Sequence, residues 1–184
     1  MKLKRVINLF GGPCTGKSTI AAGLFTKMKT EGYNVELVPE YAKELTYDER
    51  FNILDQDQLY ILAKQHRKII RLKDQVDYII TDSPLLLSLI YSEINCNSLI
   101  YDQKIFKDLT LSIFNHYDNF NILLRRNEAY EYQQEGRYQD LDGAIFVDSK
   151  IKSALNQYGK YEEMESNYYT INKIFNNFKW WKDE

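Results

Sequence analysis

The sequence predicts an α/β fold: a mainly parallel sheet of about five strands layered between helices. Three observations predict it. Short apolar runs alternate with longer segments whose apolar residues recur at helical spacing, the rhythm of strand–helix–strand units. No repeat, low-complexity tract or Pro/Gly/Ser-rich linker breaks that rhythm, so the 184 residues read as one domain, residues 1–184. A glycine-rich segment joins the first strand to the first helix, where such folds bind phosphates.

The elements follow in order. Residues 5–10 (RVINLF) make a buried strand, and Ile20, Ala21, Leu24 and Met28 then mark one face of a helix. Glu31 and Gly32 stop that helix, and residues 33–38 (YNVELV) form a second strand. Pro39 ends its ladder, which sets Glu40 just past the strand's C-terminal end. Residues 41–45 and 55–73 read as helices, the latter with an apolar stripe from Leu59 to Leu72. Residues 76–82 form a third strand ending in an acid. Pro84 opens the next helix, where proline is tolerated, and residues 85–91 continue it. A polar loop at 95–98 leads to an amphipathic helix at 101–116 and a fourth strand at 120–124. A polar, Arg-, Glu- and Tyr-rich segment at 125–139 precedes a helix at 141–158, a short strand at 161–164 and a closing helix at 169–178.

Composition excludes several classes. The formal net charge of −2 gives no global attraction to nucleic acid or anionic membrane, although a local basic face is still allowed. No apolar run has the length of a membrane helix. Two cysteines in unrelated contexts, Cys14 and Cys96, suit a reduced, cytoplasmic protein. A signal peptide is rejected, because cleavage after the short basic N-terminus would remove the glycine-rich segment.

That segment is Gly11-Gly12-Pro13-Cys14-Thr15-Gly16-Lys17-Ser18, the G-x-x-x-x-G-K-[ST] spacing of a phosphate loop, or P-loop. Its glycines let several backbone N–H groups face one centre, and the following helix adds its positive dipole end. Gly12 to Thr19 is therefore the expected binding segment for ATP, with Lys17 reaching the β/γ-phosphates and Ser18 ligating Mg²⁺. In open parallel sheets ligands bind outside the carboxyl ends of the strands. Glu40, Asp82 and Arg125 fall at such ends too.

Asp82 has the placement of an acid that holds Mg²⁺; the alternative is a helix N-cap, for which Ser83 is better placed. Glu40 suits a base that accepts the proton of a substrate hydroxyl, a group that binds substrate, or a helix N-terminal acid. Arg125, Arg126 and Arg137 sit in or beside the polar segment. There, guanidinium groups on a lid (approximately 125–140) stabilise a transferring phosphoryl group and exclude water, or else are solvated surface charges. Arg126 is also a candidate for substrate binding, with Tyr41, Lys43 and Gln65; Lys64 and Arg67 lie nearby, and Tyr41 or Tyr60 either stacks on a base or is simply buried. His66 and His116 lack the spacing of a metal site or a triad.

The chain resembles the nucleoside and nucleotide kinase branch of P-loop proteins over most of its length. Val38-Pro39-Glu40-Tyr41-Ala42-Lys43-Glu44 is similar to a segment of ribosylnicotinamide-kinase-like proteins, and deoxynucleoside kinases have a comparable acid after their second strand. Asp82-Ser83-Pro84-Leu85 is similar to their acid after the third strand, and Arg125-Arg126 with Gly136-Arg137 to the lid of thymidylate-kinase-like proteins. Residues 7–10, 11–25, 34–43, 62–66 and 76–87 resemble a set of bacteriophage kinases that includes the 5-hydroxymethyluracil DNA kinases. The resemblance implies a three-layer α/β/α P-loop NTPase fold. It also implies ATP- and Mg²⁺-dependent transfer to a nucleoside-type acceptor, such as the hydroxymethyl group of 5-hydroxymethyluracil in phage DNA. Free deoxynucleosides or nucleotides, or a 5′ end of nucleic acid, remain open acceptors. A motor ATPase or GTPase-like switch is disfavoured: neither an added ATPase or helical domain nor an N/TKxD-like guanine-reading motif is visible. Both a monomer and a homodimer are compatible; Trp180-Trp181 reads first as ordinary core or surface burial, and otherwise as a surface on which a partner packs.

Overall fold

The computed structural model describes residues 5–95, 101–127, 131–132 and 139–183. Its strands are β1 (Arg5–Phe10), β2 (Val35–Val38), β3 (Tyr78–Thr81), β4 (Asp118–Arg125) and β5 (Glu162–Glu165). They form one sheet in the order β2-β3-β1-β4-β5, with every pairing parallel. The helices are α1 (Lys17–Thr30), α2 (Tyr41–Tyr47), α3 (Phe51–Gln56), α4 (Gln58–Ile70), α5 (Leu86–Ile94), α6 (Gln103–Asn115), α7 (Leu141–Tyr158) and α8 (Tyr168–Asp183). The expected layered α/β architecture is borne out. Among the described residues, no helix is long and apolar enough to cross a membrane.

Alternation along β1 sorts the two cores. Ile7 and Leu9 join Leu24 and Met28 of α1 and Phe175 and Phe178 of α8 on one face. Val6 and Phe10 join residues of α4, α5, α6 and α7 on the other. Covering both faces is what a parallel sheet requires. Asn8, 2% exposed, is the polar exception in β1. Its amide donates to the side-chain carbonyls of Asn119 (2.8 Å) and Asn121 (3.0 Å), so it is buried without being orphaned.

Two local expectations need correction. The helix expected over 55–73 is two helices, α3 and α4, broken at Asp57. Asp57 takes φ −127° and ψ 60°, and its carboxylate accepts the Tyr60 N–H at 2.9 Å. This is an N-cap, stronger than the continuity of the apolar stripe. Residues 71–75 then turn rather than extend the helix. The second correction concerns α5, where neither Asp82 nor Ser83 is the cap. The helix begins after Leu85 without a side-chain cap, and the Leu87 N–H bonds the Pro84 carbonyl at 2.9 Å.

Register positions the site. Val38 pairs with Thr81, and Thr81 pairs with Asn8, so β2, β3 and β1 end nearly level. The residues that follow, Glu40, Asp82 and the glycine-rich loop, must emerge side by side.

The α8 layer is locked by aromatic edges. Phe178 is fully buried and meets Tyr78 and Tyr33 edge-on, with centroids 4.9 and 5.3 Å away. Phe178→Ala should lower unfolding stability by about 3–5 kcal/mol in urea titrations. A loss below about 1 kcal/mol would show that α8 is not part of this core.

Candidate active site

The loop after β1 curls through three left-handed residues, Gly11 (φ 147°), Cys14 (φ 64°) and Gly16 (φ 82°). Gly16 stands at the N-cap of α1, and a Cβ there would fall 2.5 Å from the Ser166 hydroxyl. Only glycine fits that spot. Thr15 braces the turn by donating its hydroxyl to the Gly12 carbonyl at 2.9 Å. Lys17 donates to the same carbonyl at 2.9 Å.

Pro13 to Thr19 form one wall of a cleft of about 440 Å³. Gly12 is not part of that wall: its N–H is given to Asp148 of α7 at 2.7 Å, which anchors the loop to α7. Across the cleft lie Glu40, Lys43 and Tyr47 from the α2 side and Ser88 and Tyr91 from α5. The loop therefore faces a second, mixed polar and apolar wall, as a site for two molecules requires.

Ser18 donates its hydroxyl to Asp82 Oδ2 at 2.6 Å. The other carboxylate oxygen, Asp82 Oδ1, is buried and has no hydrogen-bond partner among the described residues. Hard oxygen donors with one unsatisfied anionic lone-pair site suit a small divalent cation, so Ser18 and Asp82 fit Mg²⁺. No cluster of three or more His, Cys, Asp or Glu side chains with metal-site geometry occurs among the described residues. That also suits Mg²⁺, which takes few protein ligands and leaves the rest to water and phosphate.

Glu40 and Lys17 are each half-buried and line the cleft. Burial raises the Glu40 carboxyl above its ordinary 4.5; Lys17 pulls it back and Asp82 adds to the rise. Burial likewise lowers Lys17, opposed by Glu40, Asp82 and Asp148. Desolvation outweighs mutual attraction for both. Tyr91, also raised by burial, feels Glu40 and Asp148 from its place on the cleft wall.

Several expected site residues stand elsewhere. Arg125 is 60% exposed at its side chain and pairs with Glu163 at 3.6 Å, on the β4–β5 side and off the cleft. Gln65, 2% exposed, is spent inside the protein. Its carbonyl accepts the Tyr41 N–H at 2.9 Å, and its amide lies 3.4 Å from the Pro39 carbonyl and 3.3 Å from the Thr81 hydroxyl. It braces the turn that carries Glu40 and does not reach the cleft. Tyr41 donates its hydroxyl to Tyr60 at 3.0 Å, also off the cleft. Lys43 does line it. Arg126 does not line the cleft either: it reaches the loop, donating to the Pro13 carbonyl at 2.8 Å and to Asp148, near enough for its charge to act on Lys17. Arg137 lies outside the described residues, as do Cys96 and much of the lid. Asp148 and Tyr91 escaped sequence reading; each sits in an ordinary amphipathic helix with no motif around it.

A family model described as an AAA domain matches residues 6–166. No curated protein matches the sequence. Among solved structures, the chain is similar to NadR protein in complex with NR, with TM-score 0.67 and 18% identity. That match covers 90% of this chain and 47% of the NadR chain. It is also similar to deoxyadenosine kinase from M. mycoides with bound dATP, with TM-score 0.60 and 20% identity, covering 95% of this chain and 99% of that one. The chain thus spans about half the length of NadR and nearly all of the deoxyadenosine kinase. At these identities the likeness shows a shared fold.

A raised carboxyl has a stability consequence. The folded state holds the Glu40 proton more tightly than the unfolded state, so Glu40's contribution is fully present below 4.5 and is lost as pH rises through the folded value. Glu40→Gln removes that loss. The variant should melt higher than wild type at about pH 8, the gap closing as pH falls toward about 4. A gap independent of pH in calorimetric melts would contradict the assignment.

Proposed function

We propose that this chain, which belongs to the AAA domain family, is an ATP-dependent kinase acting on a hydroxyl of a nucleoside-type acceptor. One observation carries the reading: Glu40 stands across a cleft from a phosphate loop completed by Lys17, Ser18 and Asp82. A loop that only bound nucleotide would need no desolvated acid facing it. Likeness of fold to a deoxyadenosine kinase along nearly its whole length supports the same class.

In this reading the loop amides and Lys17 hold the triphosphate. Ser18 and Asp82 would hold Mg²⁺, which would supply charge neutralisation at the phosphate oxygens. Glu40 orients the acceptor hydroxyl and takes its proton as the new O–P bond forms and the bond from the γ-phosphorus to the β–γ bridging oxygen breaks, releasing ADP. Its raised carboxyl value makes the ionised form a better proton acceptor at neutral pH. Tyr47 and Tyr91 give the acceptor wall aromatic surface, and the cleft excludes the water that would otherwise compete.

The finer reading is that the acceptor is the hydroxymethyl group of 5-hydroxymethyluracil in phage DNA. The phage-kinase-like segments support it, and so does the outer face of α4. Lys64, Arg67 and Arg71 line that face, beside Lys68, which pairs with Glu44 of α2. Such a stripe suits a phosphate backbone, with the target base turned out into the cleft. A free deoxynucleoside is the second reading, favoured by the enclosed cleft and by the deoxyadenosine kinase fold.

Radiolabelled ATP offered with hydroxymethyluracil DNA, plain DNA and free nucleosides in parallel separates these. Label should enter the hydroxymethyluracil DNA, and that activity should fall steeply with salt. Lys17→Ala should abolish transfer, and Glu40→Gln should lower kcat by about 10²- to 10⁴-fold with ATP still bound. Unchanged kcat in Glu40→Gln removes it as the base. Transfer to no nucleoside or DNA acceptor overturns the kinase reading.

A further inference from the structure

Asp148 has no part in the donor and acceptor chemistry above, yet the loop is built against it. Its Oδ1 accepts the Gly12 N–H at 2.7 Å. Its Oδ2 accepts the Nε–H of Arg126 at 3.0 Å, and Nη2 lies at ion-pair distance, also 3.0 Å. Nη2 also donates to the Pro13 carbonyl at 2.8 Å. The ring of Tyr132 lies 5.7 Å from the guanidinium carbon. Both partners are largely buried, with side chains 17% and 27% exposed. The approach is close enough that a Cβ on Gly12 would fall 2.4 Å from Asp148 Oδ1 and 2.9 Å from the Ala144 carbonyl.

This arrangement fixes the guanidinium plane. Nε and Nη2 are engaged by Asp148 and Pro13, which leaves Nη1 as the nitrogen outside these contacts. One carboxylate thereby couples the first turns of α7, the start of the segment after β4, and the loop itself. We infer that Asp148 is a positioning residue: it holds Arg126 against the phosphate loop so that Arg126, rather than Arg125, presents a fixed N–H edge to the donor triphosphate. The inference rests on the reading that this loop binds ATP.

The sign of one measurement separates positioning from plain electrostatics. An acid beside a polyphosphate repels it, so simple charge removal would tighten nucleotide binding. Positioning requires the opposite. Asp148→Asn keeps a carbonyl oxygen for the Gly12 N–H but loses the charge that orients Arg126. In calorimetric titration of the full chain with MgATP, D148N and R126A should each weaken binding by about tenfold, the scale of one charge-assisted hydrogen bond. The D148N/R126A double variant should bind no worse than R126A, because Asp148 acts through the arginine.

Binding in D148N that is tighter or unchanged overturns the inference, and so does a double variant whose loss is the product of the single losses. R126K provides a second measure should D148N fold poorly. A lysine keeps the charge but cannot satisfy Asp148 and Pro13 from one rigid plane, so ATP affinity retained in R126K also overturns it. The titration needs no acceptor. Wild-type protein that fails to bind MgATP would overturn the kinase reading itself, whereas binding that D148N leaves intact overturns the role of Asp148 alone.

Discussion

The pairing register of β2, β3 and β1 is the constraint on which the site depends. Val38, Thr81 and Asn8 lie across from one another, and the three strands stop within about two residues of that row. Because parallel strands all point the same way, their exits share one edge of the sheet. Glu40, Asp82 and the loop therefore converge without any long-range sequence signal. A slip of one residue in β3 would turn Ile79 and Ile80 to the opposite cores and carry Asp82 away from Ser18. Both faces of the sheet are packed, so such a slip is expensive, and the core's apolar pattern enforces the site's geometry.

What the sequence disclosed follows from this. Residues at strand ends could be placed because strands are short, apolar and bounded by Pro39 or by an acid, and their order along the chain implies a parallel sheet. Side chains on helices were harder, because amphipathic spacing says which face is buried but not what the buried polar group does. Gln65 illustrates it. A glutamine on the inner face of α4 reads equally as a substrate ligand or as a strut, and its three partners, Tyr41, Pro39 and Thr81, come from other elements. Arg125 and Arg126 are adjacent residues at the end of one strand. Sequence alone could not say that the first is drawn to Glu163 on the edge strand while the second turns to the loop. Asp57 was legible in principle, as an N-cap whose signal was outvoted by apolar residues on either side.

The charges around the loop are arranged in opposition to stability. Glu40, Asp82 and Asp148 all act on Lys17, yet desolvation still lowers its proton affinity. Glu40, for its part, is held above its ordinary range despite the nearby lysine. Lys17 and Glu40 would each be more comfortable in water. A fold optimised for stability alone would replace them with apolar side chains of similar volume. Their presence, together with the left-handed Cys14 and an Asp82 oxygen that has no partner among the described residues, concentrates cost at one edge of an otherwise well-packed sheet.

The backbone of Gly12 connects these costs. Its N–H is held by Asp148, while its carbonyl accepts from both Thr15 and Lys17. Lys17 thus satisfies the loop's own backbone, and a lysine that moves onto a phosphate leaves that carbonyl to Thr15. Thr15 is nearly fully buried and remains in place to accept the exchange. The loop can therefore release its lysine without orphaning a buried acceptor, which lowers the cost of the step. Asp148 keeps the preceding peptide group fixed, through the Gly12 N–H, while this happens. A loop anchored at the N–H and switchable at the carbonyl can trade an internal hydrogen bond for a phosphate contact with its backbone curl intact.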